Sequence, residues 1–215
     1  MATPVLIIGK SGTGKSASMR NCIGKDFNLI RVLNKPLPFK GKINGWQSDN
    51  YEDIVKMLSQ SKAKSIVIDD AGYLIVNQFM RGHSSYNKGN AIFGFYNDLA
   101  DRFWGLIDFI TKMPDDKIVY LIMHEDTNDF GDIRPRTIGK LLDEKVCIEG
   151  LCTLAFRAIK EGDDYLFVTQ SKGGAISKTP IGMFSDLTID NDLAMVDEKI
   201  REYYNNEGEE ENEEN

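Results

Sequence analysis

The residue types best suited to chemistry lie in Gly9-Lys10-Ser11-Gly12-Thr13-Gly14-Lys15-Ser16, with Ala17 following. The run fits G-x-x-x-x-G-K-[ST], a loop whose glycines let successive backbone N–H groups curl around phosphates. A helix beginning at this loop turns its N-terminus toward the same anions. In this spacing Lys15 reaches the β- and γ-phosphates and the Ser16 hydroxyl ligates Mg²⁺. Gly9, Lys10, Ser11, Gly12, Thr13, Gly14, Lys15, Ser16 and Ala17 are therefore the expected nucleotide-binding residues. No N-K-x-D motif for reading guanine is present, so ATP with Mg²⁺ is the expected ligand.

A second element is Ser65-Ile66-Val67-Ile68-Asp69-Asp70. An apolar strand delivers Asp69 at its C-terminal edge, where a carboxylate holds a water on Mg²⁺. Asp70 can polarise the attacking water, or it can N-cap the next helix. A third apolar run, 118–123, ends in His124-Glu125. At the tip of a strand beside that of Asp69, His124 can touch the γ-phosphate and act as a sensor. Glu125 is an alternative catalytic carboxylate. The expected catalytic residues are thus Lys15, Asp70, His124 and Glu125, and the expected metal ligands Ser16 and Asp69. An acidic strand end followed by an inserted helix and a further strand is the additional-strand arrangement, which disfavours small kinases and GTPases.

These residues need strands that end together. Residues 4–9, 28–33, 65–70 and 118–123 read as buried strands, and 14–24, 51–59, 73–80 and 91–113 as helices between them. The alternation implies an α/β fold with a mainly parallel sheet flanked by helices. Residues 34–49 hold Pro36, Pro38, Gly41 and Gly45 and read as a loop or hairpin. Residues 81–90 and 126–136 read as polar loops. Segments 151–159 and 165–170, around Glu161-Gly162-Asp163-Asp164, predict a C-terminal antiparallel hairpin. A closing helix over 190–204 starts with Asp190 or Asn191 as its cap.

The 215 residues suit one domain, 1–204, with an acidic tail at 205–215. The tail carries six glutamates and no base, so it is expected to be disordered. Taking those six charges from the net −7 leaves the folded part at −1. Three cysteines, Cys22, Cys147 and Cys152, argue against a disulfide framework and fit a reducing cytosol. No apolar run is long enough to span a membrane, and Met1-Ala2-Thr3-Pro4 lacks a basic leader, so a cytoplasmic protein without a signal peptide is expected.

Spacing of the motifs resembles the RecA-like core. More closely, the chain resembles a family of small ATP-binding proteins encoded by bacteriophages, some described as minimal RecA-like single-strand annealing proteins. The resemblance rests on 9–20, 34–41, 66–74, His124-Glu125, 138–145 and 177–184, and covers most of the chain up to about Leu193. It implies a RecA-like P-loop NTPase acting in recombination or replication in the bacterial host cytoplasm. It also implies single-stranded DNA, other phage replication or recombination proteins, and further copies of the chain as partners. It places Lys172 or Lys178 where a neighbouring subunit's γ-phosphate would lie. Arg81 and Lys88 on the first polar loop, and Arg134, Arg136 and Lys140 on the second, become expected DNA contacts, with Phe79, Tyr86 and Phe130 as stacking platforms.

Three functions remain open. A DNA-dependent ATPase fits the two polar loops. A nucleotide-switched interaction or loader ATPase without DNA contact fits the near-neutral core, since DNA binders usually carry a basic excess. A small-molecule kinase would use the arginines of 126–140 as a lid, but the acidic strand-end pair and the histidine fit hydrolysis better.

Overall fold

The computed structural model describes residues 1–86, 91–171 and 176–213, with side chains except at 143–144 and 206–213. Its frame is a nine-stranded sheet. The strands are Thr3–Gly9 (β1), Phe27–Arg31 (β2), Gly45–Gln47 (β3), Ser65–Asp69 (β4), Ile118–Thr127 (β5), Ile133–Pro135 (β6), Leu154–Glu161 (β7), Asp164–Val168 (β8) and Thr188–Asp190 (β9). Their order is β3-β2-β4-β5-β1-β7-β8-β9, with β6 added to β5. Pairings from β3 through β7 are parallel, and β8 and β9 continue the sheet antiparallel. A strand thus lies between β1 and β4, as the additional-strand reading requires.

Parallel strands covered on both faces must be apolar on both, which is why β4 is buried at every position. Alternate residues of one strand then enter separate cores. Leu6, Ile8, Ile66, Ile68, Val119 and Leu121 pack beneath three helices, Tyr51–Gln60 (α1), Tyr73–Gly82 (α2) and Ala91–Thr111 (α3). Val5, Ile7, Val67, Tyr120 and Ile122 face the 3₁₀ turn Ser16–Cys22 and the closing helix Leu193–Glu213 (α4). The amphipathic spacing of α1 buries Ile54 and Leu58, and Asn50 caps it by accepting from Asp53 N at 3.1 Å. Among the described residues no helix is long and apolar enough to cross a membrane.

Several local expectations are corrected. The segment after the glycine loop is a 3₁₀ turn rather than an α-helix. It is short and serine-rich, and Ser18 Oγ donates to Lys15 O at 2.6 Å. The 34–49 stretch contains no hairpin; it returns to add β3 parallel to β2. The second polar loop is largely a β5–β6 hairpin. Its turn forms because Asn128 Oδ1 accepts from both Phe130 N and Asp132 N. Asp192, not Asp190 or Asn191, caps α4 by accepting from Ala194 N at 3.0 Å, because Asp190 is committed to β9. The last helix extends past Tyr204, to Glu213; disorder of the acidic tail stays an expectation.

Below the sheet, Asp197 of α4 ties the helix to two strands. It accepts from Ser65 Oγ at 2.5 Å, Tyr120 Oη at 2.8 Å and Arg201 Nε at 3.0 Å. Tyr120 is fully buried, so losing this acceptor leaves a phenol without solvent or partner. Asp197→Ala should lower the unfolding free energy by about 2–4 kcal/mol, read from urea titration; an unchanged midpoint would remove the network from the account of stability.

Candidate functional site

The site assembles at the C-terminal edge of the parallel strands. Register pairs Gly9 of β1 with His124 of β5, and Ile68 of β4 with Leu121 of β5, so Asp69 emerges beside the glycine loop. Gly9 must be small, since a Cβ there would lie 2.6 Å from both Ala158 O and Thr13 Oγ1. Gly12 and Gly14 adopt φ of +81° and +87°, the left-handed region that curls the loop. Lys15 Nζ donates to Gly9 O at 2.8 Å and Lys10 O at 2.7 Å, folding its ammonium back into the loop. Burial pulls the Lys15 ammonium down to about 8, against the opposing pull of Asp70, Glu125 and Asp69.

Ser16 Oγ donates to Asp69 Oδ1 at 2.8 Å. A hydroxyl and a carboxylate oxygen held this close are the hard donors Mg²⁺ takes when its other ligands are waters and phosphate oxygens. The residues present therefore fit the metal. Burial, reinforced by Asp70, raises the Asp69 carboxyl to about 6. A cation beside it would reverse that shift.

Asp70 is the one non-glycine among the described residues with positive φ, at +61°. Its neighbours hold it there: Ala71 N donates to Ile122 O at 2.8 Å and Val32 N to Asp69 O at 3.2 Å. Asp70 makes no cap on α2, whose N-cap position is Gly72. It is buried and ion-paired with Lys35, and His124 Nε2 lies 3.9 Å from its other oxygen. Burial lowers the His124 pKa, and Lys15 adds to the effect, favouring a neutral ring. A cleft of about 530 Å³ joins Ser11, Gly12, Gly14, Lys15, Ser16 and Ala17 to Lys35, Asp70, His124 and Tyr165.

Other expected residues take different places. Glu125 is buried, and both its oxygens accept from Arg157, from Nε at 2.8 Å and from a terminal nitrogen at 2.9 Å. In that clamp each of its oxygens already has Arg157 as a partner. Arg81 pairs with Asp49, and Arg136 with Asp126 at 3.7 Å. Arg134 lines a separate cavity with Lys145 and Cys147, and Lys140 is exposed. Lys178 bridges Ala155 through its backbone and is not among the residues lining the cleft. Phe79 stacks within a ring cluster with His83, Phe95 and Tyr96, while Tyr86 and Phe130 are exposed. Lys88 and Lys172 lie outside the described residues.

Lys35, Arg157 and Tyr165 were not singled out for the ATP site from the sequence. The one available signal was Lys35's position just after a strand end, in the proline-rich segment. Arg157→Met should destabilise the fold by about 3–5 kcal/mol, because it leaves a buried carboxylate without a counter-charge. Adding Glu125→Gln should recover much of that loss in thermal unfolding; no recovery would mean that the pair is not coupled.

The chain matches the family model described as AAA domain over residues 1–179. A search of curated proteins returned no match. The matched stretch takes in every strand from β1 to β8, including all those that border the cleft, and the chain belongs to the AAA-domain family of P-loop ATPases.

Proposed function

We propose that the protein hydrolyses ATP with Mg²⁺ and passes its nucleotide state to the β5–β6 hairpin, which contacts single-stranded DNA. The observation that carries the ATPase reading is the Ser16–Asp69 hydrogen bond beside the folded-back Lys15. On nucleotide binding Lys15 exchanges two carbonyls for phosphate oxygens, a stronger partner for an ammonium. Ser16 and Asp69 would hold the metal, which supplies charge neutralisation between the β- and γ-phosphates. Asp70 then accepts the proton of the attacking water as the water oxygen bonds to the γ-phosphorus and the bond to the β-phosphate oxygen breaks. For this, Lys35 must leave Asp70, and a γ-phosphate offers Lys35 an alternative anion. Neutral His124 can donate a hydrogen bond to that phosphate from one ring nitrogen.

Support for the DNA arm is the rooting of the hairpin. Arg136 N donates to His124 O at 2.7 Å, so the histidine facing the cleft and the base of the hairpin are one unit. Phe130 at the tip is 92% exposed, available for base stacking. The resemblance to small phage ATP-binding proteins favours recombination or replication, with several copies assembled. A second reading, a nucleotide-switched interaction protein, is favoured by charge. Arg81 and Arg136 already have acidic partners, and without the tail the chain is nearly neutral.

Lys15→Ala should abolish turnover, and Asp69→Asn should retain weak ATP binding without Mg²⁺-dependent hydrolysis. Asp70→Asn keeps a residue type tolerant of positive φ and should slow hydrolysis on the order of 100-fold with binding intact. Full turnover in all three variants would sink the catalytic assignment. Steady-state ATPase should rise with single-stranded DNA, and the rise should weaken with salt and in Phe130→Ala. An intact basal rate with no response to DNA would favour the interaction reading.

A further inference from the structure

Two residues beside Gly14, the last glycine of the phosphate loop, are not used by the hydrolysis reading. A Cβ at Gly14 would lie 2.7 Å from Tyr165 Cδ1 and 3.2 Å from Asn191 Oδ1, so both side chains rest against the last glycine of the loop. Tyr165 lines the cleft, is 43% exposed, and has Lys160 Nζ 5.2 Å from its ring centroid. Asn191 is the opposite case. It is 1% exposed, yet neither its amide nitrogen nor its amide oxygen has a hydrogen-bond partner among the described residues. Its backbone is fully used: N donates to Tyr165 O at 3.1 Å, and O accepts from an Arg20 terminal nitrogen at 2.5 Å. A buried amide without partners is costly.

We propose that Tyr165 and Asn191 form the base subsite of the nucleotide cleft and select adenine. The inference rests on the ATP reading above and deepens it. The part of the Tyr165 ring exposed at the cleft stacks on the base, a contact any nucleobase accepts. The unpartnered amide of Asn191 supplies the selection. Its oxygen accepts from the exocyclic amine of adenine while its nitrogen donates to the neighbouring ring nitrogen, the pairing an asparagine side chain makes with this base. Gly14 serves both halves, since any side chain there would collide with Tyr165.

Titration calorimetry with ATP, GTP and inorganic triphosphate separates base recognition from phosphate binding. Wild type should bind ATP more tightly than either competitor. Tyr165→Ala should weaken ATP on the order of ten-fold and leave triphosphate within about two-fold, with Tyr165→Phe close to wild type. Asn191→Leu should erase most of the preference for ATP over GTP without changing triphosphate binding, thermal unfolding of each variant being followed alongside. Unchanged ATP affinity in both Tyr165→Ala and Asn191→Leu, equal losses for ATP and triphosphate, or a wild type that favours GTP would each overturn the subsite. A wild type that binds triphosphate but gains nothing from the base would overturn the subsite and leave the phosphate loop standing. One that binds none of the three ligands would overturn the nucleotide reading as well.

Discussion

Parallel strands in register end at one level, and the rest of this molecule depends on that constraint. β4, β5 and β1 lie side by side, so Asp69, His124 and Gly9 arrive together at one edge. The strands hold that level because both of their faces are buried, one against α1–α3 and the other against the 3₁₀ turn and α4. Sliding a strand by one residue would exchange its two cores as well as displace its tip. Packing therefore fixes the chemistry through register rather than through direct contact with the site.

The edge itself is crowded with charge that the fold must balance. Lys15, Lys35, Asp69, Asp70 and Glu125 all converge there, and burial penalises the Lys15 and Asp69 ions. Glu125 is balanced permanently, clamped by Arg157 from the next strand but one. Asp70 is balanced by Lys35, a half-exposed side chain. The contrast separates two carboxylates that look equivalent as strand-end residues: the counter-ion of one is largely buried and that of the other half-exposed.

Backbone strain at Asp70 belongs to the same picture. A positive φ in a non-glycine residue persists only where neighbours over-determine it. Here the bonds of Ala71 to β5 and of Val32 to Asp69 do so. The kink turns the carboxylate toward the cleft instead of up the axis of α2, where a helix cap would point.

The glycine loop, the apolar strands and their C-terminal carboxylates were legible in the chain itself, because phosphate cradling and strand burial impose local patterns of residue type. Period and composition also placed α1, α2, α3 and the β7–β8 hairpin to within a few residues. They misjudged the β5–β6 hairpin, whose paired stretch is short and holds the polar Glu125, Asp126, Thr127 and Arg134, and the 3₁₀ turn, whose residues carry no helical stripe. Tertiary structure alone decided that Lys35 faces Asp70, that Arg157 claims Glu125, and that Tyr165 and Asn191 close on Gly14. Each of those pairs joins residues more than thirty positions apart. No local pattern marks such partners, since a lysine on a loop or an asparagine before a helix is equally at home in solvent; only the folded sheet brings them within reach.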